Sequence, residues 1–196
     1  EIISHPRGMV LMVGPTGSGK TTTLYSIINA LNTTARKIIT LEDPVEYSIS
    51  GISQIPVNTT GGQSFGDNLR SVLRLDPDVL MIGEIRDADT AKTAIQASIT
   101  GHLVLSSFHA TSSAAAFSRM VDMIGINPIF SSAIRLVIAQ RLVRRLDDAT
   151  KEEYEPDDAT KRWVQDIWKD LPENSDKPEG NRFELWHRKK KKKSPF

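Results

Sequence analysis

One nine-residue stretch constrains this chain more than any other. Residues 14–22 read Gly-Pro-Thr-Gly-Ser-Gly-Lys-Thr-Thr, and a glycine, four residues and then Gly-Lys-Thr is the spacing of a phosphate-binding loop. Glycines lack a Cβ, so successive backbone N–H groups can converge on phosphate oxygens. An apolar, strand-like run precedes the loop, and apolar residues at helical spacing follow it. This context favours nucleotide binding over a chance glycine-rich turn.

The loop also predicts which groups contact the nucleotide. Lys20 is expected to reach the β- and γ-phosphates, and the Thr21 hydroxyl to hold Mg²⁺. The N-terminus of the following helix adds partial positive charge. ATP with Mg²⁺ is therefore the predicted ligand. The predicted nucleotide-binding residues are Gly14, Pro15, Thr16, Gly17, Ser18, Gly19, Lys20, Thr21 and Thr22.

The pattern of the first 146 residues alternates between strands and helices, which predicts an α/β fold with a mostly parallel sheet. Asp87 is a predicted helix N-cap and Gly125 a predicted helix C-cap. We predict strands over residues 9–13, 37–41, 53–57, 78–84, 103–107 and 142–146. We predict helices over residues 22–31, 65–75, 88–99, 112–124 and 128–141.

Two acidic positions lie at the ends of predicted strands, where ligands bind in parallel sheets. Glu84 ends an apolar strand and is a candidate to orient and deprotonate water, or to hold Mg²⁺ through a water; the alternative is a cap on the next helix. Glu42 opens the acidic segment 42–46, in which Pro44 forbids continuing the strand. We interpret Glu42 as a second carboxylate that polarises the water or the metal shell.

The composition excludes several classes of protein. A net charge of +1 implies no global attraction to nucleic acid or membrane. The chain has no cysteine, so it has neither a disulfide framework nor a thiolate zinc site. No apolar run reaches the roughly 18 residues that span a bilayer. Because the chain lacks an initiator Met and begins close to the first strand, we expect it to be a piece of a longer protein.

After residue 146 the character of the chain changes. Residues 147–158 carry seven acids and one lysine, an amphipathic helix is predicted over 159–171, and residues 188–193 are six consecutive bases. We interpret the basic run as a solvated tail. The sequence thus predicts two domains, 1–146 and 147–196, the second a small helical and irregular appendage.

Five segments in order resemble the ATPases of type II secretion and type IV pilus machines, a RecA-like family of hexameric motors. The resemblance covers about residues 1–146, and its last segment is closer to the extension and assembly branch than to the retraction branch. The segments are residues 8–25, 42–46, 73–78 with 83–87, 100–110 and 140–146.

The resemblance implies a function as well as a fold. It implies a RecA-like P-loop NTPase core that hydrolyses ATP and performs mechanical work on pilins or pseudopilins. Members of the family work as hexamers with platform and adaptor proteins, at the cytoplasmic face of the inner membrane. In many assembly-type members a four-cysteine zinc module follows the last segment, and this chain has no cysteine there. Zinc is therefore not expected.

The resemblance also implies roles for individual residues. In the family's terms, residues 14–22 are the Walker A loop, 42–46 the aspartate box, 78–84 the Walker B segment and 102–109 the histidine box. His109 would sense the γ-phosphate or contact a neighbouring subunit, with His102 a weaker candidate. One or more of three arginines would neutralise transition-state charge, unless they are surface charges paired with acids. These arginines are Arg70, Arg74 and Arg86.

Two other functions fit the same core. One is a RecA-like nucleic-acid motor of the helicase type, although the core lacks basic and aromatic stretches that stack on single strands, so no nucleic acid is expected. The other is a nucleotide-gated scaffold that binds ATP with little turnover, against which Glu84 argues.

Overall fold

The computed structural model describes residues 5–126, 128–149, 151–169 and 185–188. The chain forms two compact units, Glu1–Leu142 and Val143–Phe196. The division into two domains, 1–146 and 147–196, stays a prediction.

The first unit alternates strands and helices along the chain. Its strands are β1 (Gly8–Val13), β2 (Ile38–Glu42), β3 (Ser53–Pro56), β4 (Val79–Ile85), β5 (Leu103–Phe108) and β6 (Ile134–Ala139). Its helices are α1 (Lys20–Leu31), α2 (Phe65–Leu73), α3 (Ala88–Ile99), α4 (Ser113–Ile124) and α5 (Phe130–Ala133).

All six strands form one sheet in the order β3-β2-β4-β5-β1-β6, and every neighbouring pair is parallel. The carboxyl ends of the strands therefore meet at one edge of the sheet. The strand that precedes the phosphate-binding loop, β1, lies between β5 and β6. This arrangement brings the ends of β2, β4, β5 and β6 to the same edge as the loop.

Both faces of the sheet are buried, because successive side chains of a strand point to opposite faces. On one face, Leu11 of β1 packs in a cluster with residues of α2, α3 and α4. On the other face, Val10 and Met12 pack with α1, which buries Leu24 and Ile28. The predicted α/β fold with a parallel sheet flanked by helices is confirmed.

Local signals place the helix ends where the sequence predicts them. The Asp87 side chain accepts a hydrogen bond from the backbone N–H of Thr90 at 2.8 Å and so caps α3. The Ser112 hydroxyl accepts from the N–H of Ala115 at 3.1 Å and caps α4. Gly125 ends α4 with φ of 84°, a conformation that suits glycine. The predicted roles of Asp87 and Gly125 are confirmed.

The predicted helix over residues 128–141 is wrong. Only α5 is helical in this region, and residues 134–139 form β6, which pairs in parallel with β1. Without β6, β1 would be an edge strand with a row of unpaired backbone groups. The predicted strand over 142–146 is also wrong, since residues 140–146 form no strand, and Leu142 and Val143 are exposed.

The second unit contains β7 (Lys151–Tyr154), α6 (Asp158–Lys169) and β8 (Leu185–Arg188). Strands β7 and β8 pair antiparallel. The predicted amphipathic helix is present as α6; residues 170 and 171 of that prediction, and the lysines 189–193, lie outside the described residues. Among the described helices, none is both long and apolar enough to cross a membrane.

Candidate functional site

A cleft of about 910 Å³ lies at the carboxyl edge of the parallel sheet. It receives residues from the phosphate-binding loop, from the start of α1 and from the ends of several strands. Most of the predicted site residues therefore share one cleft, although they are far apart in sequence. Those lining it are Thr16, Gly17, Gly19, Lys20, Thr21, Thr22, Glu42, Glu84, Arg86 and His109.

The backbone of the loop requires its glycines. Gly14, Gly17 and Gly19 have φ of 151°, 76° and 85°, which L side chains rarely adopt. A Cβ on Gly14 would lie 2.4 Å from the carbonyl oxygen of Gln140 and 2.7 Å from the Ser18 hydroxyl. Close packing thus fixes the loop at its first glycine. The resulting concave backbone fits phosphate oxygens.

The polar side chains of Lys20 and Ser18 differ in their hydrogen bonding. The Lys20 ammonium donates to the carbonyl oxygens of Gly14 and Pro15, each at 3.0 Å, which leaves one N–H donor for a phosphate. Ser18 is buried, and its hydroxyl has no hydrogen-bond partner among the described residues. Gly14 and Pro15 line a second cleft, of about 470 Å³, together with His109.

Glu84 is held between two cationic or donor side chains. One carboxylate oxygen lies 2.7 Å from Nε2 of His109, and the other accepts a hydrogen bond from Nε of Arg86 at 2.6 Å. The side chain of Glu84 is 15% exposed, whereas those of Arg86 and His109 are about half exposed. Arg86 and His109 thus hold the Glu84 carboxylate in place at the wall of the cleft.

Glu42 has a different environment from Glu84. It is 3% exposed, and its carboxylate accepts hydrogen bonds from the Tyr25 hydroxyl, from Thr40 Oγ1 at 2.5 Å and from Gln54 Nε2 at 3.2 Å. Burial, and then the hydrogen bond to Glu42, raises the pKa of Tyr25 to about 12. This network joins α1, β2 and β3, and its members Tyr25 and Glu42 line the cleft.

Several candidates from the sequence do not line the cleft. Arg70 forms ion pairs with Asp67 at 2.7 Å and with Asp89 at 2.9 Å on the surface of α2 and α3. Arg74 is the C-cap residue of α2. His102 Nδ1 lies 3.1 Å from the carbonyl oxygen of Ala97. Of the three candidate arginines, only Arg86 lies in the cleft.

Sequence reasoning did not single out Tyr25, Tyr47 and Gln140, which all line the cleft. The rings of Tyr25 and Tyr47 meet edge to face with their centroids 4.7 Å apart. Tyr25 is the last residue of the first segment of the resemblance, residues 8–25, whereas Tyr47 lies in none of the segments. The signal for Gln140 was its position at the start of the last segment of the resemblance, residues 140–146.

The oxygen ligands in the cleft suit a hard cation such as Mg²⁺. The Thr21 hydroxyl and the Glu84 carboxylate line the same space. Within the described part of the chain, no group of three or more His, Cys, Asp or Glu residues could hold a metal by itself. Such a site fits an ion that takes most of its ligands from nucleotide phosphates and water, and not a metal held by protein side chains alone.

A glycine-rich loop before a helix, facing a carboxylate at the end of a parallel strand, defines a P-loop nucleotide-binding protein. The family model "Type II/IV secretion system protein" matches residues 1–182. The chain belongs to this family, and the resemblance found from the sequence is confirmed.

Two curated relatives show the extent of the similarity. The chain is 53% identical over 160 residues to the type II secretion system protein E of Pseudomonas aeruginosa, covering 81% of this chain and 32% of the relative. It is 51% identical over 158 residues to the type II secretion system ATPase E of Vibrio cholerae, covering 80% of this chain and 31% of the relative. The chain thus spans about a third of the length of these relatives.

Solved structures of ATPases resemble the fold. The pilus retraction motor PilT with bound ADP is 33% identical, with a TM-score of 0.67 over 86% of this chain and 55% of PilT. The Legionella pneumophila ATPase DotB is 34% identical, with a TM-score of 0.63 over 72% of this chain and 42% of DotB.

Proposed function

We propose that this chain is the ATP-hydrolysing part of a motor for protein secretion or pilus assembly. One observation carries the proposal: the phosphate-binding loop and the strand-end carboxylate of Glu84 line the same cleft. The similarity to a type II secretion system ATPase E and to a pilus retraction motor with bound ADP supports it.

The loop supplies the binding part of the reaction. Backbone N–H groups of the glycine-rich loop and the N-terminus of α1 bind the phosphates, and Lys20 neutralises charge on the β- and γ-phosphates. Thr21 would hold Mg²⁺, and Glu84, which lines the same cleft, would contact the ion through a water. Mg²⁺ held there would neutralise charge on the phosphate oxygens.

Glu84 supplies the base for hydrolysis. The attacking water must lose a proton to a carboxylate within hydrogen-bond reach. Arg86 and His109 hold that carboxylate in one orientation, which lowers the entropic cost of the step. Arg86 uses only Nε for this contact, and its other N–H donors are suited to bind the γ-phosphate as negative charge develops.

Glu42 acts by position more than by direct contact with water. It is buried and satisfied by three side chains that join α1 to the edge of the sheet. The Tyr25 hydroxyl also accepts a hydrogen bond from the backbone N–H of Glu46 at 3.3 Å. The network thereby fixes the acidic segment 42–46 against the helix that follows the phosphate-binding loop.

We further propose that the whole protein works as a ring, as a hexamer of such chains. It would lie in the cytoplasm, peripheral to the inner membrane, and act on a membrane platform with adaptor proteins. Closure around ATP and release after hydrolysis would supply the movement. Membership of the family supports this reading over a helicase-type motor or a scaffold with little turnover.

Binding of a fluorescent ATP analogue tests the proposal. Lys20→Ala removes the only lysine of the loop, so we expect the affinity to fall about tenfold to a hundredfold, the usual cost of a lost charge-assisted hydrogen bond. The matched control is Lys92→Ala, on the exposed surface of α3, which should bind like the parent. Near-parental affinity of Lys20→Ala would contradict nucleotide binding at this loop.

A further inference from the structure

The end of β6 lies directly beside the phosphate-binding loop. In the parallel pair of β1 and β6, Ala139 is opposite Val13. The backbone N–H of Gln140 donates to the carbonyl oxygen of Val13 at 2.8 Å. Gln140 therefore stands next to Gly14, where the loop begins.

The side chain of Gln140 reaches across the loop to α1. Its amide oxygen accepts a hydrogen bond from Thr23 Oγ1 at 2.8 Å. A Cβ on Gly19 would lie 2.9 Å from its Nε2, so the amide packs against the junction of loop and helix. The bond to Thr23 leaves the two N–H donors of Nε2 for other partners, and Gln140 lines the cleft.

The order of the strands shows which part of a nucleotide Gln140 would meet. Glu84 on β4 and His109 after β5 lie on one side of β1, and β6 lies on the other. Hydrolysis at Glu84 places the γ-phosphate on the β4 and β5 side. The α-phosphate and the nucleoside then extend towards β6, where Gln140 lies.

An apolar side chain accompanies the amide. Leu142 also lines the cleft and is 71% exposed. Its Cδ2 would be 3.8 Å from a Cβ on Gly19, so it stands over the same junction as the Gln140 amide. The Gln140 amide can donate to a sugar oxygen, and the exposed apolar surface of Leu142 can pack on a sugar and base. The Leu142 side chain offers no hydrogen-bond donor to a phosphate.

We propose that Gln140 and Leu142 form the nucleoside end of the binding site. The Gln140 amide donates to a ribose oxygen, and Leu142 packs on the sugar and base. The inference rests on the proposed function, because it assumes a nucleotide bound with its γ-phosphate near Glu84. It assigns a role to two residues that no phosphate-binding motif includes.

Calorimetric titration of the chain with two ligands tests this inference. One ligand is a non-hydrolysable ATP analogue with Mg²⁺, and the other is inorganic tripolyphosphate with Mg²⁺, which lacks the nucleoside. Gln140→Leu should lower the affinity for the ATP analogue about fivefold to tenfold, as expected for one lost hydrogen bond. The affinity for tripolyphosphate should stay within about twofold of that of the parent. Leu142→Ser should likewise lower the affinity for the ATP analogue and leave the affinity for tripolyphosphate nearly unchanged.

The controls separate this inference from a structural role and from the proposed function. Gln96→Leu, the same change on the exposed surface of α3, should leave both affinities unchanged. Equal losses for both ligands in Gln140→Leu would mean that Gln140 only supports the loop through Thr23, and no loss for either would also overturn the inference. If the parent chain binds neither ligand, the proposed function itself is contradicted.

Discussion

At the residue scale, the two strand-end carboxylates differ in environment. Glu84 is partly exposed and held by Arg86 and His109, whereas Glu42 is buried among neutral hydrogen-bond donors. The sequence could predict that both lie near the phosphates, because both follow apolar strands. It could not predict that Tyr25, Thr40 and Gln54 surround Glu42, because those contacts depend on how β2, β3 and α1 pack.

Alkaline titration tests the buried network. The pKa of Tyr25 is raised from 10.0 to about 12 in the folded chain, so the folded state holds this proton more tightly than the unfolded state. The corresponding stability is fully present below about pH 10 and is lost as the pH rises towards 12. Tyrosinate absorbance should show a late step in the parent that is missing in Tyr25→Phe.

The same variant should reduce stability at neutral pH. Tyr25→Phe leaves Glu42 buried with one donor fewer, which should lower the free energy of unfolding by about 1–3 kcal/mol. That difference should shrink between pH 10 and 12, as the parent loses the Tyr25 proton. Urea unfolding at several pH values measures it, and a difference that grows with pH would contradict the assignment.

At the element scale, local apolar patterns predicted most strands and helices of the first unit, whereas β6 depends on its pairing with β1. The strands from β1 to β5 and the helices from α1 to α4 follow the apolar patterns of the sequence, within a few residues at their ends. Residues 134–139 also fit a helical pattern, but in the fold they pair with the open side of β1. Position in the sheet, which a local pattern does not contain, determines β6.

The N-cap of α4 gives a prediction at this scale. Ser112→Ala removes the hydroxyl that accepts from the N–H of Ala115, and should lower stability by about 0.5–2 kcal/mol. Ser113→Ala changes the adjacent exposed serine, which is inside the helix, and should have little effect. Equal effects of the two changes would contradict the capping role of Ser112.

Circular dichroism is the suitable measurement for this comparison. All three tryptophans, Trp163, Trp168 and Trp186, lie in the unit Val143–Phe196. Their fluorescence would therefore report on that unit, while α4 belongs to the other. Most of the described helical residues lie in Glu1–Leu142, as α1 to α5, so urea unfolding followed by circular dichroism reports mainly on that unit.

At the scale of the whole molecule, the sheet brings together groups that are distant in sequence. The loop after β1, Glu84 on β4, His109 after β5 and Gln140 after β6 all lie at one edge, because the six strands of this sheet run in the same direction. The sequence alone predicted the loop and the carboxylate, since their motifs are local. The side of β1 on which each element lies is a property of the strand order.

Phosphate release by Glu84→Gln, in the full-length protein assembled as the proposed ring, tests the assigned role of Glu84 most directly. The amide keeps the shape of the side chain but cannot accept the proton of water, so ATP binding should persist. Turnover should fall by about 10² to 10⁴, or roughly 3 to 5 kcal/mol of barrier. Glu42→Gln should also bind ATP and lose less activity.

Two additions serve as controls in the same assay. Chelation of Mg²⁺ should stop turnover of the parent, and added DNA or RNA should leave its rate unchanged, as the proposed function predicts. If Glu84 is the base, Glu84→Gln binds ATP and releases phosphate at least a hundredfold more slowly than the parent. Hydrolysis by Glu84→Gln within about threefold of the parent rate would contradict it, and Glu42 would become the leading candidate for the base.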